Sequence, residues 1–343
     1  MAPDCHNVLV VGPSWIGDMV MAQSLFQTLL QKQDSLQLSV MAPSWSSPLL
    51  YRMPQVSSVI PTGFEHGQLS LYKRWDLAQT LRERKFDQAI ILPRSIKAAL
   101  VPFLAGIPQR TGYLGEKRYG LLNDVHPLDT TQLPLTVQKF VQLGRTKGDY
   151  TCKNYPTPRL RINRDAVKGI LDNLGIEQTD QPVLAICPGA EFGPSKRWPA
   201  AYFAQVAQHQ ALKGWQVWLL GSEKDSAITA EIHNGTRNIN LFDLAGQTTL
   251  EEVIDLLSAT DCVISNDSGL MHLAAAVNTK VIAIYGSTSP RINPPLSTKA
   301  TILWEELACS PCQERHCPLG HTNCLERLSA EQVIAELESF QRD

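Results

Sequence analysis

Val263-Ile264-Ser265-Asn266-Asp267-Ser268-Gly269-Leu270-Met271-His272-Leu273-Ala274-Ala275-Ala276 opens as an apolar run, breaks at polar residues and a glycine, and resumes with small apolar residues. That order predicts a buried strand, a tight turn and a helix, the junction from which α/β domains are built. Asp267 and Ser268 are of the types that cap a helix start, and Gly269 lets a ligand approach the backbone closely. The free N–H groups and positive dipole end of such a helix suit a phosphate. An ordinary capped helix fits the same letters, so the stretch has to be weighed against its surroundings.

Working outward, the second half alternates in the same way. Strands are expected at Val183–Cys187, Gln216–Leu220, 239–242, Val281–Tyr285 and Thr301–Trp304, with helices at Ala200–Leu212, from Asp225, at Leu250–Ser258 and from Ser329. The first half repeats the pattern. Asn7–Val11 reads as a buried strand, Gly12 to Asp18 as a turn, and about Met19–Leu30 as a helix. Further strands are expected near Leu36–Met41, Val56–Ile60 and Asp87–Leu92. Gly175 to Pro182 reads as a linker. The expected fold is therefore α/β, with two Rossmann-like, doubly wound domains covering residues 1–175 and 176–328. Ligands would gather at the strand ends, in a cleft between the two.

Composition narrows the partners. With 343 residues, 43% hydrophobic, 19% charged and a net charge of −2, the chain has room for two ordinary domains and is not of a disordered type. Near-neutrality gives no overall reason to expect nucleic acid, so an anionic partner must meet a local patch. No apolar run is long enough for a bilayer, and the N-terminus enters a strand with no leader pattern, so a cytoplasmic protein is expected. Cys187 and Cys262 lie in apolar strands as small hydrophobes, and Cys5 and Cys152 are scattered. Cys309, Cys312, Cys317 and Cys324 crowd together with His316 and His321. These are zinc-type ligands, but their irregular spacing matches no standard finger, and reduced thiols on a loop are the plainer reading, with a structural metal as the alternative.

Several residues at expected strand ends carry chemistry. Asp18 stands where the first helix begins and is either a first-turn carboxylate stabilising the dipole or a general base. Its turn matches neither G-x-G-x-x-G nor a P-loop. Arg94, Ser95, Lys97, Arg110, Lys117 and Arg118 fall on stretches rich in glycine and proline, read as loops at the sheet rim. They form either a solvated surface or a basic pocket for an anionic substrate. Gly189 and Lys196 lie on the loop after Val183–Cys187. Glu223 follows the next strand, where an acid can accept ribose hydroxyls. The sequence holds no Asp-x-Asp pair, a common device for metal-dependent sugar-nucleotide chemistry. No metal is expected at the site. Lys196, with Arg197 as a further candidate and the helix start at Ser268–Leu270, would neutralise a departing diphosphate instead.

Val10-Val11-Gly12-Pro13-Ser14-Trp15-Ile16-Gly17-Asp18-Met19-Val20, Lys196-Arg197-Trp198-Pro199 and Asn266 through His272 resemble the lipopolysaccharide heptosyltransferases of glycosyltransferase family 9. The match covers both halves in order. The loop at Arg94–Lys97 and the cysteine-rich tail resemble the branch that adds the second heptose. The resemblance implies a GT-B fold, with the last helix, 329–343, returning to the first domain. It also implies inverting, metal-independent and cofactor-free transfer of heptose from ADP-heptose to heptosyl-Kdo2-lipid A, with transient contact at the inner face of the inner membrane. By the same resemblance Asp18 is the base and Lys196 stabilises the diphosphate. Gly189, Glu223, Asp267, Ser268, Gly269, Leu270 and His272 hold the donor. Gly17, Arg94, Ser95, Lys97 and Arg110 meet the acceptor. A relative with a different heptose acceptor, a sugar-nucleotide epimerase and a non-catalytic binding protein are the alternatives. An acceptor panel, turnover without acceptor and the absence of turnover, respectively, would mark them.

Overall fold

The computed structural model describes residues 6–33, 35–64, 69–151, 153–237 and 240–340; Cys5, Cys152, and the first residue of the strand expected at 239–242 fall outside them. The chain divides into two compact units, Met1–Pro158 and Arg159–Asp343.

In the first unit the order is β1 (Asn7–Val11), α1 (Ile16–Lys32), β2 (Gln37–Pro43), α2 (Ser47–Tyr51), β3 (Ser58–Thr62), α3 (Leu71–Arg82), β4 (Gln88–Ile91), α4 (Ile96–Leu104), β5 (Gln109–Tyr113), β6 (Asp124–His126) and α5 (Thr136–Gln142). The strands pair in parallel in the order β3-β2-β1-β4-β5-β6. Val8 to Val11 and Ala89 to Ile91 are buried because the central strands of such a sheet are covered on both faces, which is why they read as unbroken apolar runs.

The second unit runs α6 (Arg164–Asn173), β7 (Val183–Cys187), α7 (Ala200–Leu212), β8 (Gln216–Leu219), α8 (Ser226–Gly235), β9 (Leu241–Asp243), α9 (Leu250–Ser258), β10 (Cys262–Asn266), α10 (Gly269–Ala276), β11 (Lys280–Tyr285), β12 (Ala300–Trp304), α11 (Asn323–Glu326) and α12 (Ala330–Ser339). Its parallel sheet is ordered β12-β11-β10-β7-β8-β9. Counted from β7 as the first strand, this is the strand order of the first unit. Each sheet therefore reverses its winding once, between β1 and β4 and between β7 and β10. Crevices for ligands open at the carboxyl ends of the strands at such a point.

Three expectations change. The stretch holding Arg110, Gln109–Tyr113, is a strand, not a rim loop. Gln109–Tyr113 pairs with β4 on one side and β6 on the other, and two partners outweigh the weak strand preference of its glycine. The boundary falls at Pro158/Arg159 rather than after residue 175. Helix α6 packs on α9 of the second unit, and Asp255 Oδ1 accepts from the Asn163 backbone N–H at 2.7 Å. The last helix, expected to return to the first domain, packs on α7 and β11, with Val333 and Leu337 inside the core of the second unit.

Candidate active site

In the second unit the loop after β7 and the loop after β10 meet through a buried ion pair. Lys196 Nζ lies 2.6 Å from Asp267 Oδ2, with the two side chains 13% and 5% exposed. Thr288 donates to the same oxygen at 2.5 Å. Asp267 was expected as a helix cap. Its carboxylate is instead taken by Lys196 and Thr288, because an ammonium 71 residues away offers a stronger, charge-assisted bond than a local N–H. Ser268 occupies the N-cap position of α10 with extended backbone, but its side chain caps nothing and bonds Ser265 Oγ at 3.1 Å. The start of α10, at Ser268, Gly269 and Leu270, thus keeps N–H groups with no side-chain cap, close to a lysine. That is the chemistry of an anion site.

Neighbouring groups hold this arrangement rigid. Asn266 is fully buried at the end of β10. It accepts from the Trp198 N–H at 3.0 Å and donates to Pro188 O at 2.7 Å, so it fastens both ends of the lysine loop to the strand. Trp198 is fully buried and donates from Nε1 to Leu328 O at 2.8 Å. The Lys196 ammonium also sits 5.1 Å from the ring centre of Phe192. His272 is buried one turn into α10. Burial lowers its pKa to about 4 against the opposing pull of Asp267, so the ring is neutral at pH 7 and can bond a ligand without adding charge.

Gly189 has a reason of its own. A Cβ there would stand 2.3 Å from Asp225 Oδ1, so only glycine admits that carboxylate. Asp225 in turn accepts from Ser222 N–H and Oγ–H at 2.9 and 2.8 Å and shapes the turn that carries Glu223. Glu223 is exposed at the end of β8, on the same edge as Lys196. Asp225, Asn266 and Thr288 were not singled out from the sequence. Only the Asn-Asp-Ser-Gly run around Asn266 carried a visible signal.

In the first unit Asp18 is half-buried in the first turn of α1, behind buried Gly17, at the end of β1 and beside the winding reversal. Arg94, Ser95 and Lys97 follow β4 on the other side of that reversal. Ser95 caps α4 by accepting from the Ala98 N–H at 3.3 Å. Arg110 does not join them. It stands at the start of β5, paired with Ala89 near the start of β4, and therefore lies at the opposite edge of the sheet. Its guanidinium is engaged by Leu121 O at 2.8 Å and Ile107 O at 2.6 Å. Arg118, which looked equivalent in sequence, is 1% exposed and donates to Pro93 O, Ser95 O and Tyr113 O at 2.8, 3.0 and 2.7 Å. It is a clamp for the loop bearing Arg94. Burial and the nearby Arg94 charge lower its pKa to about 10.

The cysteine loop adjoins the lysine loop. Cys309, Cys312, Cys317, Cys324 and His321 line one cavity of about 20 Å³ together with Ser195 and Ser287. Among the described residues no three His, Cys, Asp or Glu side chains are gathered as a metal ion would need. Ser195 Oγ and Ser287 Oγ are 2.9 Å apart, and Ser195 N–H donates to Arg315 O at 3.3 Å. The loop therefore braces the backbone next to Lys196. Burial raises the Cys262 thiol to about 12 and the Cys187 thiol further, in keeping with their reading as small hydrophobes.

The sequence profile of glycosyltransferase family 9 (heptosyltransferase) matches residues 74–323. The chain is 41% identical over 342 residues to lipopolysaccharide heptosyltransferase 2 of Escherichia coli (strain K12), covering 97% of this chain and 98% of that one. Identity to the protein of the same name in Salmonella typhimurium is 40%, again over 97% and 98% of the two chains. The solved structure of E. coli ADP-heptose lps heptosyltransferase II superposes with a TM-score of 0.88 at 38% identity, covering 97% and 98%. A family 9 glycosyltransferase from Veillonella parvula, 19% identical over 99% and 98% of the chains, shares the fold with a TM-score of 0.85. The architecture is thus GT-B, two Rossmann-like parallel-sheet units. On its sequence, its strand order and these likenesses, the chain belongs to glycosyltransferase family 9, the heptosyltransferases.

Proposed function

We propose that the chain transfers L-glycero-D-manno-heptose from ADP-heptose to the first heptose of heptosyl-Kdo2-lipid A, with inversion and without a metal, in assembly of the lipopolysaccharide inner core. The near full-length likeness to heptosyltransferase 2 supports the substrates. Within the molecule, the reading is carried by the buried Lys196–Asp267–Thr288 cluster beside the uncapped start of α10. A fixed ammonium and free backbone N–H groups can take up the negative charge of a leaving diphosphate, the task a divalent cation would otherwise perform.

In this mechanism Asp18 accepts the proton of the acceptor hydroxyl as its oxygen attacks the anomeric carbon. The bond from that carbon to the diphosphate oxygen breaks on the opposite face, ADP departs with the electron pair, and configuration inverts. Lys196 and the N–H groups of Ser268, Gly269 and Leu270 meet the departing diphosphate. Asp267 sets the position of the ammonium, neutral His272 bonds sugar or phosphate oxygens, Glu223 accepts the ribose hydroxyls, and the Gly189 turn lies under the nucleotide. Gly17, Arg94, Ser95 and Lys97 receive the acceptor. The first unit would serve the acceptor and the second the donor, working in the cytoplasm against the inner face of the inner membrane. Among the described residues no helix is long and apolar enough to cross a membrane. The deciding experiment incubates purified protein with ADP-heptose and one-heptose Kdo2-lipid A. A product heavier by one heptosyl residue, formed in excess chelator, is expected. ADP release without that product, or dependence on added metal, would contradict the proposal.

A further inference from the structure

Helices α3 and α4 lie side by side on one face of the first sheet, joined by Arg74 to Lys97 O at 3.0 Å and Arg82 to Leu104 O at 2.8 Å. Their inner residues, among them Ala78, Leu81, Ala99 and Val101, belong to the core. Their outer side does not follow the usual rule that a surface helix turns polar residues outward. Tyr72 is 81% exposed, Trp75 48%, Phe103 43% and Ile96 39%. Helix α4, Ile96-Lys97-Ala98-Ala99-Leu100-Val101-Pro102-Phe103-Leu104, is apolar almost all round although the sheet covers only one side of it.

The charge along the stretch that carries these rings is one-sided, although Arg74 is buried and Asp76 and Glu83 are exposed among its cations. From residue 69 to 110 there are eight Lys and Arg against three Asp and Glu, a net of +5 in a chain whose total is −2. Lys73, Arg82, Arg84 and Lys85 are exposed, and the Arg82 guanidinium lies 5.7 Å from the centre of the Trp75 ring. Exposed Trp and Tyr set among cations fit a headgroup layer, where rings enter the boundary region and basic side chains meet anionic lipid. A folded partner protein would more often be met by an apolar centre with a polar rim than by cations interleaved with the rings.

We infer that the outer face of α3 and α4 docks on an anionic bilayer, with Tyr72, Trp75 and Phe103 entering the headgroup region and Lys73, Arg82 and Arg84 lying over lipid phosphates. This deepens the membrane contact proposed above and rests on that part of it. Vesicle binding tests the face without the reaction, and transfer to a lipid-free acceptor tests the reaction without the face. The full chain is floated with phosphatidylcholine vesicles with and without phosphatidylglycerol. The expected result is binding at least roughly tenfold stronger to the anionic vesicles, weakening as salt is added. Trp75→Ser with Tyr72→Ser should cut it roughly tenfold through lost ring insertion. Lys73→Gln and Arg84→Gln should each cost about fivefold, and Lys73→Gln removes no packing should the ring variants melt early. Rates on a lipid-free acceptor should not change in any of these variants. The inference is overturned if wild type shows no preference for anionic vesicles, or if the variants bind as well as wild type. A self-associating chain that the ring variants render monomeric would overturn it equally, assigning the face to a second copy.

Discussion

The two sheets share one strand order and one winding reversal, yet their rims are furnished oppositely. At the second reversal the polar groups are sunk and tied. Lys196 is paired with a 5% exposed carboxylate, Asn266 is fully buried, and His272 is kept neutral. At the first, Asp18 stands half-buried on an α1 whose N-cap residue, Trp15, offers no side-chain bond, while Arg94 and Trp15 face outward. Topology placed both sets at the carboxyl ends of β-strands, and loop residues alone decided what each rim can do. A rim that must hold developing charge needs fixed dipoles and little water. One that must receive a large anionic molecule needs access.

On the proposed division, the largest effect of any single change belongs to the first rim. Asp18→Asn should lower transfer by about 10³-fold, within the range for losing a general base, and leave ADP affinity within twofold. Single-turnover rates with calorimetric ADP titration check it, and near-normal turnover would remove Asp18 from the chemistry. Next comes the second rim. Lys196→Ala should raise the barrier by about 3 kcal/mol and weaken donor use. It should also destabilise the protein, since Asp267 is then buried without its partner. Lys196→Ala with Asp267→Asn should recover stability without recovering rate. Recovery of both would reduce the pair to a structural role.

The neutral state of His272 gives a pH test of the same rim. Its pKa in the fold, about 4, is below the ordinary histidine value of 6.5, so the unfolded chain binds the extra proton first. Between those values stability rises with pH, and above about 6.5 the penalty is gone. Acidifying to about pH 4.5 should therefore cost roughly 2–3 kcal/mol through this residue. Urea midpoints should show a shallower acid loss in His272→Gln. The smallest effect separates two arginines that look alike in sequence. Arg94→Gln should raise acceptor KM several-fold with kcat kept, while Arg110→Gln should leave both unchanged. A KM effect at Arg110 would restore it to the acceptor site.

Most of the scaffold was legible because burial in a central parallel strand is a local property of the letters. Val183–Cys187, Ala200–Leu212 and Leu250–Ser258 fall where apolar runs, periodicity and caps put them. Strand β5 was not legible, since Gln-Arg-Thr-Gly-Tyr is weak alone and is held by its neighbours on both sides. Helix α12 has a clear capping box at Ser329 and Gln332, so its existence could be read, but not which unit its apolar face would join.

The sequence by itself determined that there are two α/β halves, which loops follow strands, and which acids and cations those loops carry. Those properties depend on hydrophobic period and residue type within a few neighbours. Only the tertiary structure decided that Asp267 pairs with Lys196 and Thr288 instead of capping α10, that Arg118 is a clamp, and that Arg110 stands at the far edge of its sheet. A polar side chain takes the strongest partner the folded chain brings within reach, and separation along the sequence does not reveal which one that will be.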